Sequence, residues 1–402
     1  CLWCHNPESI GFKPQPAVFS ARCVRCGSCA AVCPTGALKV GERSAVRDAS
    51  VCTGCLKCAN ACPTGAIVGY GTEYSVDELF EKVMSDEMFF RNGNGGVTLS
   101  GGECLAQPEF AVALAKKFRE HGVDVDIDTC FDIASMGKVL VTSPMIFKAV
   151  GDGKLSLDDT LEKFFNIPDN DPERDEKRNI TIRQMLTHTS GIIRIPLSPE
   201  IAEKGNDALA AQIIAHPLAF RPGTGYVYSC NACILLGFIA EKLYGEPLDK
   251  LYERYIKAPL GLTRSRFNIP VGEPNSAICY RRAESGGTMV DDENVRVMKG
   301  VAGNGANFWT LRDIDTFCRA VLDNRWIWTP GLCALAERDY TTDKSCEEGR
   351  GLGWLYVDER YHQTGKLFPT GSFGHCGHTG TSMFMNREER LHVIILTNAT
   401  RH

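Results

Sequence analysis

The chain has 402 residues, of which 44% are hydrophobic and 23% charged, and its formal net charge at pH 7 is −5. This is the balance of a globular protein long enough for two or three domains. The charge excludes a strongly basic nucleic-acid surface, and no apolar stretch approaches the ~20 residues of a membrane span or forms a secretory signal. The first residue is Cys1 rather than Met, so we expect a processed chain or a fragment.

Cysteine is distributed very unevenly along the chain. Twelve of the 19 cysteines lie in the first 130 residues, and eight of these form two copies of one spacing, C-x2-C-x2-C-x3-C-P. Disulfides in a small secreted domain do not explain an internal repeat of this kind. The first copy contains Cys23, Cys26, Cys29 and Cys33, and the second contains Cys52, Cys55, Cys58 and Cys62.

The repeated spacing predicts two [4Fe–4S] clusters. Three thiolates of each copy hold one cluster, and the fourth cysteine reaches the other cluster. Zinc sites or unpaired thiols are the alternative, which two complete copies disfavour. Residues 17–70 resemble a bacterial dicluster ferredoxin module, which transfers electrons and assembles in a reducing compartment, so we expect a cytoplasmic protein. The expected ligands are Cys23, Cys26, Cys29 and Cys62 for one cluster and Cys33, Cys52, Cys55 and Cys58 for the other.

The sequences flanking this module resemble the glycyl-radical-enzyme activating enzymes, which are radical SAM proteins. "CLWCHNPESIGF" resembles the end of that family's cluster loop, with Cys1 and Cys4 as its last two cysteines. "GGVTLSGGECLAQPEF" resembles its S-adenosylmethionine-binding stretch, with the contact residues at Gly101, Gly102 and Glu103. The resemblance implies S-adenosylmethionine, a third cluster whose loop is incomplete here, and a glycyl radical enzyme or other redox partner.

Local patterns between the module and residue 130 predict βα units. Ser75 and Glu78 form a capping box before an amphipathic helix, and Pro108 opens a second helix that Gly122 closes. Val97–Leu99 and Val123–Ile127 are predicted as strands. We therefore expect a fragment of a parallel radical-SAM barrel that stops near Cys130.

From Phe131 onward the chain resembles the serine β-lactamase and penicillin-binding-protein superfamily, especially its class C-like esterase and peptidase branch. The blocks that carry the resemblance occur in the family's order: "FDIASMGKVLVTSPMIF", "TIRQMLTHTSGI", "RPGTGYVYSCNACILLGF" and "FGHCGHTGTSMFMNREERLHVIILTN". The resemblance implies an antiparallel sheet with packed helices. The whole chain is then multidomain, with mixed α/β and α+β parts.

The same blocks contain a candidate catalytic set. A serine hydroxyl needs an adjacent base, and Lys138 follows Ser135 by one helical turn. We expect burial to lower the pKa of Lys138 and to let it act unprotonated. The resemblance gives Tyr228 a share in proton transfer and makes the backbone N–H groups of Ser135 and His378 the oxyanion hole.

Two positions depart from the family pattern. Cys230 stands where the Y-x-N motif has Asn or Asp, and Asn231 comes one place late. His375 replaces the lysine of Lys-Thr-Gly, and a neutral histidine attracts a substrate carboxylate less than lysine does. We therefore expect a small ester or peptide substrate rather than a β-lactam. His188 is interpreted as a structural residue at a helix end.

The two resemblances divide the chain into four segments. The hydrolase family normally has further elements before residue 131 and a helix after its last strand, so we expect these to be missing and one sheet face to be exposed. The predicted order is the end of a cluster loop (1–16), the ferredoxin module (17–70), partial radical-SAM units (71–130) and the β-lactamase-like domain (131–402).

Three functional hypotheses remain open from the sequence. The chain is a serine hydrolase with an appended iron–sulfur module, or a redox or radical-activating protein whose hydrolase half is inactive. The third hypothesis is an artefactual or decayed fusion with neither full activity. Reaction of Ser135 with an activated ester separates the first hypothesis from the others, and cluster binding without esterase activity is specific to the second.

Overall fold

The computed structural model describes residues 14–71, 73–85, 87, 107–123, 128–269, 273, 276–277, 290–305, 307–342, 346, 348–360 and 369–396. The chain divides into two compact units, Cys1–Val125 with Gln363–Leu367, and Asp126–His362 with Phe368–His402. Among the described residues, no helix is both long enough and apolar enough to cross a membrane.

The cysteine repeat of the first unit folds as two similar halves. Strands β1 (Gln15–Val18) and β4 (Ile67–Tyr70) pair antiparallel, and so do β2 (Leu38–Val40) and β3 (Ala45–Arg47). The short helices α1 (Ser28–Ala31) and α2 (Lys57–Asn60) occupy equivalent positions in the two sequence copies. The two strand pairs and two helices are therefore the structural counterpart of the internal sequence repeat.

The backbone conformation repeats together with the sequence. Each helix begins after a residue in the left-handed region, Gly27 with φ 80° and Leu56 with φ 55°. Each cysteine run is followed by a glycine in the same region, Gly36 with φ 66° and Gly65 with φ 62°. Leu56 adopts this conformation without the freedom of glycine, which indicates that the surrounding structure imposes the turn.

Two further helices of the first unit begin where the sequence predicted, after Ser75 and at Pro108. In α3 (Val76–Met84), the Ser75 hydroxyl accepts from the Glu78 N–H, and the Glu78 carboxylate accepts from the Ser75 N–H. Helix α4 (Pro108–Glu120) begins at its proline. The two helices share a small core that contains Phe80, Leu114, Phe118 and Val123. The predicted strand 97–99 and residues 124–127 of the predicted strand 123–127 lie outside the described residues, so the barrel fragment remains a prediction.

The second unit is built on a five-stranded antiparallel sheet in the order β13–β12–β11–β10–β9. Alternate residues of strand β12 point to opposite faces, so Met383 and Met385 enter the main core while Phe384 faces the other side. The strands are β9 (Gly349–Arg350), β10 (Leu355–Tyr356), β11 (Phe373–Cys376), β12 (Ser382–Asn386) and β13 (Leu391–Ile395).

A second, mixed sheet lies in the same unit and was not predicted. Its order is β6–β8–β5–β7, in which β5 and β7 are parallel and the other pairs are antiparallel. These strands have only two or three residues each, too few to show a periodic sequence pattern. They are β5 (Cys130–Asp132), β6 (Arg266–Phe267), β7 (Ser276–Ala277) and β8 (Asn307–Trp309).

One helix, α10, runs through the centre of the second unit. Every residue from Cys230 to Ala240 is buried, the pattern of a helix that is surrounded by other elements. The other helices are α5 (Ser143–Gly151), α6 (Arg174–Arg178), α7 (Ile182–Leu186), α8 (Pro199–Ala202), α9 (Asn206–Ile214), α10 (Cys230–Tyr244), α11 (Leu248–Tyr252), α12 (Ala258–Leu260), α13 (Glu293–Val297), α14 (Leu311–Leu322) and α15 (Pro330–Ala336).

The expectation of an exposed sheet face is only partly met. Leu355, Val357 and Phe384 form a cluster on the face opposite the main core, and each is at most 6% exposed. Exposure is concentrated on the edge strand β13, where Leu391 and Ile395 are 45% and 47% exposed. The expected exposure was wrong for the middle of this face, where the three apolar side chains pack together and are buried.

Candidate active site and cysteine pocket

Ser135 and Lys138 lie on a turn that differs from the simple helix predicted. A 3₁₀ turn, Ala134–Met136, is followed by a π-helix, Lys138–Thr142, before α5 begins. Ser135 belongs to the 3₁₀ turn and Lys138 begins the π-helix, so the two side chains meet across the junction of these turns. Pro144 has no N–H to donate to residue 140, which interrupts the α-helical hydrogen bonds in this region.

The Lys138 ammonium is completely surrounded by protein. The side chain is 1% exposed, and Nζ donates to Ser135 Oγ at 2.9 Å and to the Asn304 carbonyl at 2.7 Å. Burial lowers the pKa of Lys138, but the negative charges that Cys230 and Tyr228 carry when ionised outweigh it, so the pKa is raised. The expectation of a lowered pKa was therefore wrong, because it considered burial without these neighbours.

Tyr228 lies against the Ser135–Lys138 pair. Its ring centroid is 5.1 Å from Lys138 Nζ, and the tyrosine is hydrogen-bonded to both Ser135 and Lys138. Burial raises the pKa of Tyr228, and the positive charge of Lys138 opposes this rise without cancelling it. The structure thus brings the three predicted residues together around one hydroxyl.

The loop that carries Tyr228 is fixed by His188 and by the start of α10. His188 Nδ1 accepts from the Ser229 N–H at 3.2 Å, and its carbonyl accepts from the Val227 N–H at 3.0 Å. The Ser229 hydroxyl caps α10 by accepting from the Ala232 N–H. Burial lowers the pKa of His188 far below its ordinary value, so the imidazole is neutral and Nδ1 can accept. His188 therefore holds Tyr228 in place.

The departure from the Y-x-N motif has a clear structural consequence. Cys230 is the first residue of α10 and lies close enough to influence the charge of Lys138. Asn231 belongs to a different contact: its Oδ1 accepts from the Ile195 N–H at 3.3 Å, and its Nδ2 donates to the Ile195 carbonyl at 3.4 Å. Asn231 therefore supports the 192–197 segment and does not replace the missing motif residue.

His375 and His378 lie at the end of β11. His375 is 2% exposed and its Nδ1 hydrogen-bonds the Cys376 carbonyl at 2.8 Å. Burial and the nearby positive charges of Arg350 and Lys138 lower the pKa of His375 far below its ordinary value, so this histidine is neutral. His378 is exposed in the turn that follows.

Hydrogen bonds join this turn to the segment that leads into Ser135. Thr379 Oγ1 donates to the Asp132 carbonyl at 2.7 Å, and Thr381 Oγ1 donates to the Ile133 carbonyl at 3.3 Å. A Cβ atom at Gly377 would lie 2.5 Å from the Ile133 oxygen, so the close approach requires glycine. These contacts hold the turn containing His378 against the Ser135 segment.

Arg350 is a residue of the site that the sequence reasoning missed. Its guanidinium is almost completely buried, with Nε donating to the Tyr226 hydroxyl and Nη2 to Glu348 Oε1, both at 3.0 Å. Nη1 is 3.5 Å from His375 Nε2, and Cζ is 5.1 Å from the Tyr228 ring centroid. The only sequence signal was an arginine inside the apolar block "GRGLGW", a position where an unpaired charge is rare.

Four cysteines of the first unit line one pocket. They are the set predicted for the first cluster: Cys23, Cys26, Cys29 and Cys62. Within the described residues, no three Cys, His, Asp or Glu side chains are arranged to hold a metal ion. In a [4Fe–4S] cluster each thiolate binds a different iron, so the four sulfurs do not have to converge on a single metal ion. The pocket therefore fits a polynuclear cluster better than it fits zinc.

Hydrogen bonds prepare several of the predicted ligand sulfurs for the thiolate state. The Ala45 N–H donates to Cys23 Sγ at 3.4 Å. Hydrogen bonds from Thr35 lower the pKa of Cys33 to about 7, and those from Ser28 lower the pKa of Cys26. Thiolates are the ligands of iron–sulfur clusters, so these contacts favour cluster binding.

The second predicted ligand set follows from the repeat. Cys58 is buried in α2 as Cys29 is in α1, with exposures of 6% and 8%. The remaining predicted members of the set are Cys33, Cys52 and Cys55. The candidate S-adenosylmethionine residues Gly101, Gly102 and Glu103, and the cluster-loop residues Cys1 and Cys4, lie outside the described residues.

The fold of the second unit is that of the β-lactamases and penicillin-binding proteins. A penicillin-binding-protein homologue from Caulobacter crescentus has a TM-score of 0.55 and 19% identity over 70% of this chain and 81% of that one. A β-lactamase/D-alanine carboxypeptidase from Yersinia pestis has a TM-score of 0.53 and 23% identity over 69% and 80%.

The sequence comparison identifies the family. The family model described as Beta-lactamase matches residues 105–402, so the chain belongs to the Beta-lactamase family. A putative D-alanyl-D-alanine carboxypeptidase of Escherichia coli K12 is 28% identical over 312 residues, which cover 69% of this chain and 71% of that protein. The Beta-lactamase family model also covers residues 105–130, which the sequence motifs had assigned to the radical-enzyme resemblance.

A second family model and a second group of relatives match the N-terminal part. A 4Fe-4S dicluster domain matches residues 22–66, which makes this region an iron–sulfur module. The (2S)-3-sulfopropanediol sulfolyase activating enzyme of Bilophila wadsworthia is 46% identical over 133 residues, 32% of this chain and 44% of that enzyme. The chain thus spans less than half the length of this activating enzyme. It combines an activating-enzyme-like iron–sulfur region with a β-lactamase-like domain.

Proposed function

We propose that the second unit hydrolyses esters or peptides through an acyl intermediate on Ser135. The observation that carries this proposal is the 2.9 Å contact between Ser135 Oγ and Lys138 Nζ, with Tyr228 against both. A buried amine and phenol at a half-exposed serine form a nucleophile with its proton-transfer partners. The family match and the similarity to a putative carboxypeptidase support the same reaction class.

Lys138 and Tyr228 together are assigned the proton transfer in this site. Lys138 Nζ donates to Ser135 Oγ in the resting site, and the negative charge of an ionised Tyr228 raises the pKa of Lys138 and so keeps it protonated. The active form has lost one proton from the pair and is best described as a Tyr228 phenolate beside the Lys138 ammonium. As Ser135 Oγ attacks the carbonyl carbon, its proton passes to the phenolate oxygen and later to the leaving group.

The developing oxyanion would be bound at the junction of β11 with the Ser135 turn. The carbonyl oxygen becomes negative when the Ser135 oxygen adds to the carbon, and two backbone N–H groups, those of Ser135 and His378, are assigned to it. Collapse expels the alcohol or amine, which carries the proton from Tyr228. Water then adds to the acyl carbon by the reverse proton path and releases the acid and Ser135.

The substrate class follows from the groups that replace the usual anion-binding residues. His375 is neutral and Cys230 supplies no amide, so charge-assisted hydrogen bonds worth about 1.5–3 kcal/mol each are absent from this site. Short-chain esters need neither contact. Penicillins and cephalosporins present a carboxylate and an amide, so they are expected to react slowly or not at all.

Hydrolysis of a short-chain p-nitrophenyl ester tests this function. The intact chain is expected to release nitrophenol with an initial burst, and Ser135→Ala is expected to lose at least 1,000-fold in kcat/KM. Ser156→Ala replaces an exposed serine of the same unit and is the matched control, with unchanged kinetics. Turnover of penicillins faster than of esters contradicts the substrate assignment.

We further propose that the first unit binds two [4Fe–4S] clusters and transfers electrons to or from a redox partner. The clusters would supply one-electron transfer, and the chain supplies the two cysteine sets named above. The pocket lined by four cysteines supports the first of these sets. S-adenosylmethionine, a third cluster at Cys1 and Cys4, and a glycyl radical enzyme as partner remain predictions.

Iron content after anaerobic reconstitution measures the cluster number. About eight irons and eight sulfides per chain are expected. Cys29→Ser is expected to remove about four of each, because it deletes a ligand of one cluster only. Cys318→Ala, which alters a buried cysteine of the second unit, is the control and retains all eight. About twelve irons together with cleavage of S-adenosylmethionine would show that a third, radical-SAM cluster is assembled.

A further inference from the structure

The family's Lys-Thr-Gly motif contributes a positive charge that this chain lacks at the same position. His375 occupies the lysine position and is neutral because it is buried beside Arg350 and Lys138. A site that forms a phenolate at Tyr228 benefits from a second positive charge in addition to Lys138. The described residues around Tyr228 contain one other strong cation in this region, Arg350.

We propose that Arg350, on strand β9, supplies the fixed positive charge that favours Tyr228 as the acceptor of the Ser135 proton. Arg350 is then a positioning residue, since it acts through Tyr228 and does not contact the reacting atoms. This inference rests on the proposed acyl-serine function. The inference identifies Arg350 as the residue that provides the positive charge in the absence of the motif lysine.

Arg350 lies two strands away from His375 in the five-stranded sheet. Arg350 on β9 pairs with Leu355 on β10, and Leu355 pairs with Gly374 on β11, the residue before His375. The long side chain of Arg350 spans this distance and places Nη1 3.5 Å from His375 Nε2. The guanidinium carbon is 5.1 Å from the Tyr228 ring centroid, the same distance as Lys138 Nζ.

Two hydrogen bonds fix the guanidinium in this place. Nε donates to the Tyr226 hydroxyl and Nη2 donates to Glu348, while the Tyr226 hydroxyl also donates to Glu348 at 2.6 Å. The Arg350 side chain is 3% exposed and that of Glu348 is 26% exposed. Water therefore screens the Glu348 charge more than the Arg350 charge, and a net positive potential remains on the side facing Tyr228.

The surrounding charges act in the direction that the proposal requires. Burial raises the pKa of Tyr228, and the charges of Lys138 and Arg350 both lower it. Arg350 also contributes to the low pKa of His188 and His375, which keeps both rings neutral. The titratable or charged groups that face Tyr228 are Lys138, His188, Cys230, Cys233, Arg350 and His375, with Tyr226 and Glu348 acting through Arg350.

The pH dependence of ester hydrolysis tests Arg350 directly. Loss of its charge in Arg350→Met raises the pKa of Tyr228, so the acidic limb of kcat/KM is expected to move to higher pH by one to two units. A unit charge about 5 Å away at an effective dielectric constant of about 20 shifts a pKa by roughly two units, and the neighbouring Glu348 charge offsets part of this shift. Activity at pH 7 then falls about 10- to 100-fold and recovers at higher pH. Arg350→Lys, which retains the charge, is expected to shift the limb by less than half as much.

Glu348→Gln provides a variant with the opposite prediction. Glutamine retains a hydrogen-bond acceptor for Arg350 and Tyr226 but removes the negative charge that offsets the guanidinium. The acidic limb is expected to move to lower pH. A purely structural role for Arg350 predicts lower activity at every pH and no shift of the limb.

Two further variants complete the test. Arg350→Met combined with His375→Lys returns a positive charge to the motif position and is expected to restore the acidic limb. Arg387→Met removes a half-buried arginine that pairs with Glu337 at 2.6 Å and leaves the profile unshifted. An unshifted limb in both Arg350→Met and Glu348→Gln overturns the inference. Absence of ester hydrolysis in the unsubstituted chain overturns the proposed function itself, so the two failures are distinguishable.

Discussion

Single residues of the site show which features the sequence could predict and which it could not. The spacing of Ser135 and Lys138 predicted their contact, because residues three positions apart lie on the same side of a helical turn. The protonation of Lys138 was not predictable, since it depends on Tyr228 and Cys230, which lie far away in sequence. Arg350 escaped prediction for the same reason: its role depends on contacts with Tyr228 and His375, which lie far away in sequence.

Asn231 offers a test at the level of one residue. Asn231→Ala is expected to lower the free energy of unfolding by about 1–3 kcal/mol, because it leaves the buried N–H of Ile195 without its acceptor, while the Ile195 carbonyl keeps the hydrogen bond from Asn294. The kcat of the folded variant for ester hydrolysis is expected to be unchanged within about threefold. Chemical denaturation and kinetics measure both quantities. A large fall in kcat with unchanged stability would instead assign Asn231 to catalysis.

At the level of elements, the sequence predicted helices best where both ends carried signals. The capping box at Ser75 and the proline at residue 108 placed the starts of α3 and α4 correctly. The Ser135 segment was harder, since Pro144 and the positive φ of Ala134 divide it into 3₁₀, π and α turns. The short strands β5 to β8 were missed because their pairing involves residues far apart in sequence.

Helix α14 is tied by one carboxylate to the loop that follows α12. Asp313 accepts hydrogen bonds from the backbone N–H groups of Thr263, Arg264 and Ser265, and from the Ser265 hydroxyl at 2.6 Å. Asp313→Ala is therefore expected to lower the free energy of unfolding at pH 7 by about 3 kcal/mol. Urea denaturation measures the change, with Asp315→Ala of the same helix as a control that costs less than about 1 kcal/mol.

The pH dependence of this stabilisation follows from the sign of the shift. Burial raises the pKa of Asp313, but its hydrogen bonds outweigh that effect and hold the pKa below the ordinary value. The stabilisation is therefore complete above the pKa of the unfolded carboxyl, near 3.9, and is lost as the pH falls through the lower, folded-state value. The difference between Asp313→Ala and the parent chain should shrink in that range. A difference that grows on acidification contradicts this account.

At the level of the whole molecule, the two units carry two different chemistries. The four-cysteine pocket belongs to the first unit, and the Ser135 site belongs to the second. The sequence predicted this combination because each unit contains several motifs in a fixed order, and both family models match accordingly. The S-adenosylmethionine residues lie outside the described part, so the radical-enzyme chemistry remains a prediction.

Covalent labelling of the intact chain by a fluorophosphonate probe is the most direct test of the central claim. The phosphonyl group is expected to bond to Ser135 Oγ with loss of fluoride, and peptide mass spectrometry should locate it there. Labelling should disappear in Ser135→Ala and persist in Ser156→Ala. Equal labelling of Ser135→Ala, or no labelling of a correctly folded parent chain, would contradict the assignment of Ser135 as the nucleophile.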